Sequence, residues 1–347
     1  MSKVALITFH SALNYGAVLQ TYATCRALIE MGYDVELVNV DINSRRGLIY
    51  NMMLALKRWR FESFRARYYP PQTKLYKTMD ELRENPPVAD YYMVGSDQTW
   101  NVEITQNMKE AFFLDFGDKY IPRIAFSVSF GGNNWILKND ESEHIKNCVK
   151  KFRSISVRET SGLSICKKEF HREVAITLDP TLLHERYDEL TGSFEEKNNI
   201  VTYRIARNSK YDSFVVNLAK TMGKKILPLG SIRPIKGCKY TYPQRVENWI
   251  KAIGGAGLVV TDSFHGLAFS ILYGRQFVVF VGNAGRIDRI KTLLHHLDLE
   301  DRLWTDTEYD VDQIIALANK KIDYVRVWER LALLRKESLV YLTNSLM

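Results

Sequence analysis

The chain begins by alternating short apolar runs with a segment of helical periodicity, and this alternation constrains the fold more than any other feature. Residues 4–9 (VALITF) and 35–40 (VELVNV) are strand-like apolar runs, and residues 17–31 between them carry apolar side chains at helical spacing. Gly32 stands where a helix commonly ends. Apolar strands joined by a helix are typical of a parallel βαβ unit, in which both faces of the sheet are covered.

The same alternation runs along the rest of the chain with one interruption. Pro180 and the polar stretch 191–199 (TGSFEEKNN) indicate a boundary, after which strand-like and helical segments begin afresh. A chain of 347 residues is also long enough for two domains. We therefore predict an α/β protein with two Rossmann-like domains facing a cleft. The predicted divisions are residues 1–190 with a basic helical arm at 43–69, residues 191–310, and a helical segment at 311–347 that packs back across the boundary.

The composition argues against several classes of protein. No apolar run approaches the ~20 residues that a transmembrane helix needs. The four cysteines lie far apart and form no Cys-x-x-Cys pair, which argues against a zinc knuckle or a disulfide framework. The H-E-x-x-H motif of zinc proteases and the G-x-S-x-G motif of serine hydrolases are absent. We expect a cytoplasmic protein with reduced thiols, without a metal or a cofactor.

Residues 43–69, the basic arm, carry most of the net charge of +8. Seven cations stand there against the single acid Glu62, and they are Arg45, Arg46, Lys57, Arg58, Arg60, Arg65 and Arg67. Apolar residues fall near one side of the arm at helical spacing, namely Leu48, Ile49, Met52, Met53, Leu56, Trp59 and Phe64. One interpretation is a solvated helix that packs on the first domain, and the other is a surface for anionic lipid headgroups or a phosphate-bearing acceptor. No nucleic-acid-binding motif accompanies the charge.

Polar residues and glycines follow the predicted strands, at the edge where parallel sheets bind their ligands. In the first half the candidates for substrate binding are Asn14, Tyr15, Gly16, Ser96, Asp97 and Arg158. In the second half they are Arg204, Arg207, Arg233, Ser263 and His265.

The stretch TDSFHGLAFS places a histidine between a strand-like run and a helical segment. Asp262 or Ser263 is suited to cap the helix, and His265 then lies in the first helical turn. The free N–H groups of that turn favour a bound anion, beside which an imidazole can serve as an acid or a base. The alternative is a structural histidine that bonds a neighbouring backbone carbonyl.

Six motifs occur in one order along the chain: NYGAVLQTYA, VGSDQTWN, SVSFG, ISVRE, LDPTLL and TDSFHGLAFSI. With these motifs the sequence resembles the polysaccharide pyruvyl transferase family over roughly residues 4–280. The resemblance implies a two-domain, glycosyltransferase-B-like fold. It also implies transfer of pyruvate from phosphoenolpyruvate to sugar hydroxyls, usually as a cyclic ketal. The catalytic histidine of the family carries over to His265.

The sequence departs from the family pattern at one position. Some members have Arg-Leu-His at the catalytic motif, where this chain has Ser263-Phe264-His265. The arginine that helps to hold the donor anion is therefore missing. Because the donor carries a phosphate and a carboxylate, other cations must hold it, preferably as bidentate clamps. The candidates are Arg158, Arg204, Arg207 and Arg233.

For the general base, the candidate is Asp97, a carboxylate in a polar turn of the first half. The alternative role for this residue is to hold the turn together. The expected partners are phosphoenolpyruvate and a sugar or lipid-linked oligosaccharide acceptor of a surface or capsular polysaccharide, with peripheral contact to an anionic membrane and no nucleic acid. Two other functions stay open: a nucleotide-sugar-dependent glycosyltransferase on the same architecture, and a sugar- or nucleotide-binding module without catalysis.

Overall fold

The structure of the protein is a computed structural model. It describes residues 1–42, 48–206, 209–230, 235, 238, 243–281, 287–305 and 308–347, and in the helix that begins at Leu48 it describes side chains from Leu54 onward. By their internal contacts the residues form two compact units. The first unit contains Met1–Gly47, Arg65–Leu183 and Ala332–Met347, and the second contains Leu48–Phe64 and His184–Leu331.

The sheet of the first unit has six strands within the described residues, and all of them are parallel. These are β1 (Lys3–Ile7), β2 (Asp34–Leu37), β3 (Tyr91–Val94), β4 (Arg123–Val128), β5 (Phe152–Val157) and β6 (Ala175–Ile176). Their order across the sheet is β2-β1-β3-β4-β5-β6. The strands that the sequence predicts from its apolar runs in the first half are therefore present and parallel.

Helices connect these strands. They are α1 (Tyr15–Glu30), α2 (Leu48–Tyr68), α3 (Met79–Glu84), α4 (Val102–Thr105), α5 (Lys109–Phe112), α6 (Asn139–Lys150) and α7 (Thr160–Phe170). The predicted basic arm forms α2, whose first seventeen residues cluster with the second unit. Within that unit Arg60 donates to the backbone oxygen of Pro243. Further along α2, Arg65 donates to the backbone oxygen of Ala12 in the first unit.

The core of the first unit is built around an indole. Trp100 is 1 % exposed, stacks on Phe113 at 4.9 Å between ring centroids, and meets the rings of Phe130, Phe152 and Phe170. Its Nε1 donates to the backbone oxygen of Phe112. The tryptophan of the VGSDQTWN motif is thus a core residue, and its packing holds the preceding turn against the sheet.

The sheet of the second unit has five described strands, again all parallel. These are β7 (Lys197–Tyr203), β8 (Lys225–Leu229), β9 (Ala256–Thr261), β10 (Phe277–Phe280) and β11 (Leu303–Trp304), in the order β11-β10-β9-β7-β8. The helices that follow α7 are α8 (Asp188–Thr191), α9 (Ser209–Thr221), α10 (Val246–Gly254), α11 (Phe264–Leu272), α12 (Ile287–His296), α13 (Val311–Asn319) and α14 (Tyr324–Ser345). The predicted α/β class, with one parallel sheet in each half of the chain, is confirmed.

The domain limits themselves stay a prediction. The predicted boundary follows residue 190, whereas the contacts divide the chain at His184. The predicted C-terminal segment 311–347 is helical, and its last residues, Ala332–Met347, cluster with the first unit. There Ser338 Oγ accepts from the backbone N–H of Leu178 at 3.0 Å. None of the helices in the described part of the chain combines the length and the hydropathy that spanning a bilayer requires.

Candidate active site

The loop after β1 ends in a well-formed helix cap. Asn14 is the N-cap of α1, and its Oδ1 accepts from the backbone N–H groups of Gly16 at 2.9 Å and Ala17 at 3.4 Å. Tyr15 is 1 % exposed and belongs to the core. The conformation of the predicted substrate loop at 14–16 is therefore set by capping and packing, as an Asn N-cap dictates. Whether these residues bind substrate stays a prediction.

The residue after β5 is the centre of a buried ion-pair network. The side chain of Arg158 is 1 % exposed. Its Nη1 donates to Asp179 Oδ2 at 2.6 Å and its Nη2 to Asp97 Oδ1 at 3.1 Å, and its Nε lies 3.6 Å from Glu159 Oε2. One guanidinium thus holds carboxylates from the segments that follow β3, β5 and β6. We call Arg158, Asp97, Glu159 and Asp179 the carboxylate network.

The neighbouring carboxylates keep the guanidinium of Arg158 charged. Burial by itself lowers the pKa of Arg158, but the charges of Asp179, Asp97 and Glu159 outweigh it, and the net effect is a raised pKa. The guanidinium therefore stays cationic, and its charge is already met by three carboxylates. Whether Arg158 contacts the donor stays a prediction, and these ion pairs make its guanidinium costly to redirect, since a buried cation loses its partners when it moves.

Further hydrogen bonds lock the network to the backbone. Ser96 Oγ donates to Asp179 Oδ2 at 3.1 Å, and Asp179 Oδ1 accepts from the backbone N–H and the hydroxyl of Thr181 at 3.0 and 2.6 Å. Ser96 is fully buried and accepts at its backbone oxygen from Thr8. Asp179 was missed as a site residue by sequence analysis, although it lies in the motif LDPTLL.

Asp97 occupies an unusual backbone position. It has a φ of 76°, in the left-handed region that aspartate tolerates better than most residues. Its backbone oxygen accepts from Thr99 and Ser129, at 2.7 and 3.0 Å. Its side chain is 16 % exposed, unlike those of Arg158 and Asp179, which are almost completely enclosed. Among the members of the carboxylate network, Asp97 is thus the one most open to a ligand.

In the second unit, Ser263 caps the helix that follows β9. It is the N-cap of α11, and its Oγ accepts from Gly266 N–H at 3.3 Å. A Cβ added at Gly266 would meet Thr261 Oγ1 at 2.5 Å. The absence of a side chain at Gly266 thus lets the first turn of α11 approach the end of β9. That approach fixes the position of His265, which precedes the glycine.

His265 lies in the first turn of α11, as the sequence predicts. Its side chain is largely enclosed, with 6 % of the residue exposed. The ring of Phe264 meets the imidazole edge-on at 5.2 Å. The histidine is therefore held rigidly beside the N-terminus of a nine-residue helix, where N–H groups and the helix dipole favour an anion.

A partly buried carboxylate links the ends of β7 and β9. Asp262 accepts from the backbone N–H groups of Ile205 at 2.6 Å and Ala206 at 2.9 Å. Burial raises the pKa of Asp262, and these two hydrogen bonds oppose the increase. The loop after β7, which carries Arg204, is thereby tied to the segment just before His265.

Arg204 is oriented by an acid on the next helix. Its Nη1 and Nη2 contact the two carboxylate oxygens of Asp212 at 2.5 and 2.8 Å, a bidentate arrangement. Its guanidinium also lies over the ring of Tyr211, 5.9 Å from the centroid. The side chain retains 13 % exposure. The two other predicted donor cations of this half, Arg207 and Arg233, lie outside the described residues.

A family model described as polysaccharide pyruvyl transferase matches residues 14–283 of the chain. The chain belongs to the polysaccharide pyruvyl transferase family. It is accordingly a transferase, and the family resemblance seen in the motifs is confirmed. The matched segment includes both the carboxylate network and His265. A search of curated protein sequences finds no match.

Solved structures similar to this chain include two that contain a bound uridine nucleotide. Arabidopsis thaliana UGT89C1 complexed with UDP superposes with a TM-score of 0.54 at 9 % identity, covering 98 % of this chain and 95 % of that one. UDP-GlcNAc 2-epimerase from Neisseria meningitidis, bound to UDP-GlcNAc, gives 0.54 at 10 % identity, with coverage of 98 % and 100 %. The predicted glycosyltransferase-B-like fold is confirmed, and at such low identity the likeness concerns the fold alone.

The carboxylate network generates a prediction about stability. Replacing Arg158 by Met leaves buried carboxylates without their cation, which typically costs about 3–5 kcal/mol. We expect the free energy of unfolding of Arg158→Met, measured by urea denaturation, to fall by that amount. The control is Arg186→Met, since Arg186 pairs with Asp188 on the surface and such pairs contribute about 1 kcal/mol or less. Equal stability of the two variants would contradict the account.

Proposed function

We propose that this transferase moves pyruvate from phosphoenolpyruvate to hydroxyls of a sugar in a surface or capsular polysaccharide repeat unit and forms a cyclic ketal. The observation that carries the proposal is the position of His265. It lies in the first turn of α11, behind the N-cap Ser263, within the segment that matches the pyruvyl transferase family. An acid–base group and an anion-binding helix terminus are thus next to each other, as a reaction that releases phosphate requires.

The reaction needs a proton donor, a proton acceptor and a leaving group. A proton added to the methylene carbon of phosphoenolpyruvate makes the neighbouring carbon electrophilic, and a sugar hydroxyl attacks that carbon and loses its proton. Phosphate then leaves as the C–O bond breaks, and a second hydroxyl of the sugar closes the ketal and gives its proton to the departing phosphate. We assign the proton transfers to His265 and Asp97. His265 is rigidly held by its helix, which supports a precise position relative to the reacting carbon.

Asp97 is suited to the role of general base because Arg158 orients it. Arg158 Nη2 donates to its Oδ1 at 3.1 Å, and the 16 % exposure leaves part of the side chain accessible. In this scheme Arg158 is a positioning residue that acts through Asp97. The phosphate and carboxylate of the donor then require a cation from elsewhere in the chain.

We assign the donor cation to Arg204. Ser263 stands where some family members have arginine, and it caps α11 instead. Arg204 follows β7, at the carboxyl edge where parallel sheets bind ligands. Asp212 orients its guanidinium through both carboxylate oxygens, and an oriented, planar guanidinium is suited to recognition of an anion.

A second function is favoured by the fold. The structures similar to this chain include proteins in complex with UDP and UDP-GlcNAc, so a nucleotide-sugar-dependent glycosyltransferase is the alternative. The family match favours pyruvyl transfer over this alternative, because it rests on the sequence over residues 14–283, whereas the likeness to those structures concerns the fold alone.

The acceptor could be carried on a lipid at an anionic membrane, and helix α2 supports this proposal. Leu56 and Trp59 are 39 % and 53 % exposed, and Arg58 and Arg67 are exposed as well. Phe64, predicted on the same apolar side, is instead buried at 1 % exposure. The exposed surface of α2 thus combines aromatic, aliphatic and cationic side chains, as interfacial helices do.

The catalytic role of His265 is testable by substitution. Loss of a general acid–base group lowers turnover by about 10²–10⁴-fold. We expect His265→Ala to show this loss in an assay of phosphate release from phosphoenolpyruvate with acceptor, with its melting temperature close to that of the wild type. His295→Ala is the control, because His295 is exposed on α12. Near-native turnover of His265→Ala would refute the assignment. Should His265→Ala and His265→Asn both unfold, the histidine is structural.

The donor role of Arg204 predicts a loss of binding. A charge-assisted hydrogen bond contributes about 1.5–3 kcal/mol, which corresponds to roughly a 10–150-fold change in the dissociation constant. We expect Arg204→Ala to weaken phosphoenolpyruvate binding by this factor in calorimetry. Arg186→Ala, which breaks another arginine–aspartate pair, should bind as the wild type does. Unchanged affinity of Arg204→Ala would move the clamp to Arg207 or Arg233.

The membrane proposal predicts binding to anionic vesicles that fades as salt rises. Each cation near an anionic leaflet contributes ~1 kcal/mol, so replacing both Arg58 and Arg67 by Gln should weaken co-sedimentation roughly 30-fold. The control replaces Lys167 and Arg186, exposed cations outside α2, by Gln. Intact protein that stays in the supernatant with anionic vesicles at low salt shows that α2 does not bind membranes.

A further inference from the structure

Three metal-ligating side chains meet in the first unit, outside the site described above. His144 and Cys148 lie four residues apart on α6, hence on one face of the helix. Asp115 follows α5 and reaches the same point. His144 Nε2 lies 3.1 Å from Asp115 Oδ2 and 3.9 Å from Cys148 Sγ, and the three ligand atoms are all within 4.8 Å of one another.

The two distances measured from His144 Nε2 are close to those in a tetrahedral zinc site. Zinc binds nitrogen and oxygen at about 2.0–2.1 Å and sulfur at about 2.3 Å, which places tetrahedral N and O ligands about 3.3 Å apart and N and S ligands about 3.6 Å apart. The observed separations from Nε2 differ from these values by a few tenths of an ångström. A thiolate, an imidazole and a carboxylate together are a ligand set that suits zinc among the divalent metals.

The surrounding charges also suit a metal ion. Asp115 accepts from Arg83 Nη2 at 2.7 Å and from Lys151 Nζ at 3.2 Å. Such outer partners commonly orient a ligating carboxylate. Asp80 and Glu110 also lie close to Arg83. The cluster therefore contains the carboxylates of Asp80, Glu110 and Asp115 and the cations Arg83 and Lys151, and its net charge is −1. A zinc ion together with the thiolate of Cys148 adds one positive charge and neutralises the net charge of the cluster.

We propose that Asp115, His144 and Cys148 bind one zinc ion that braces the first unit. The ion joins α6 to the segment after α5, and Arg83 extends this connection to α3. Three protein ligands leave the fourth position for water. The bracing role follows from the separate segments of the first unit that the ligands join, and none of the three ligands belongs to the carboxylate network. The competing explanation is an ion-pair cluster in which Asp115 is satisfied by Arg83, Lys151 and His144.

The test uses cobalt and zinc as probes on the full chain under reducing conditions. Cobalt bound through a thiolate gives a charge-transfer absorption band, and zinc displaces it. We expect one equivalent of cobalt to produce the band in the wild type, and zinc to raise the melting temperature of the protein. Loss of an outer-shell partner weakens metal binding by about 10–100-fold. His144→Ala removes a ligand itself, so it should weaken zinc binding by more than this factor. Cys148→Ser should abolish the band.

Matched variants separate this site from other histidines and cysteines. His144 is 47 % exposed at its side chain, so His144→Ala is expected to fold, and it decides the question if Cys148→Ser does not. His295→Ala and Cys166→Ser should bind zinc as the wild type does. The proposal is overturned if the wild type binds no zinc at micromolar concentrations, if His144→Ala keeps full affinity, or if cobalt binds without the thiolate band.

Discussion

The guanidinium of Arg158 lies among carboxylates from the segments that follow β3, β5 and β6, and the carboxyl edge of the first sheet depends on it. A lone buried charge costs several kcal/mol to desolvate, so the arginine and its acids stabilise one another only if all of them keep their places. The hydrogen bonds from Ser96 and Thr181 to Asp179 extend this constraint to the backbone. The rigid positions of Asp97 and its neighbours follow from this mutual dependence.

In the second unit, a carboxylate that accepts hydrogen bonds from backbone N–H groups also holds separate segments together. Asp262 ties the loop after β7 to the start of α11, so that Arg204 and His265 belong to connected segments. The missing side chain of Gly266 lets the helix approach β9 closely. A helix N-terminus, an imidazole and an oriented guanidinium are thereby assembled at one edge of a parallel sheet, which is the chemistry that an anionic donor needs.

The local sequence pattern predicted the strands and helices well, because apolar runs and helical periodicity are properties of neighbouring residues. It offered Asp262 or Ser263 as the helix cap, of which the structure has Ser263, and it placed His265 in the first turn of α11, which is confirmed. It could not show that Arg158 is enclosed by Asp97 and Asp179, since those acids are distant in sequence. For the same reason it overlooked the pairing of His144 with Asp115, although Cys148, four residues after His144, was a visible signal.

The central claim is that the chain uses phosphoenolpyruvate as its donor, and calorimetric titration tests it most directly. The wild-type protein is titrated with phosphoenolpyruvate and, in parallel, with a panel of nucleotide sugars that includes UDP-GlcNAc. The account predicts saturable binding of phosphoenolpyruvate with little heat from the nucleotide sugars. Preferential binding of a nucleotide sugar would contradict the claim and favour a glycosyltransferase, and binding of neither class would indicate a module without catalysis.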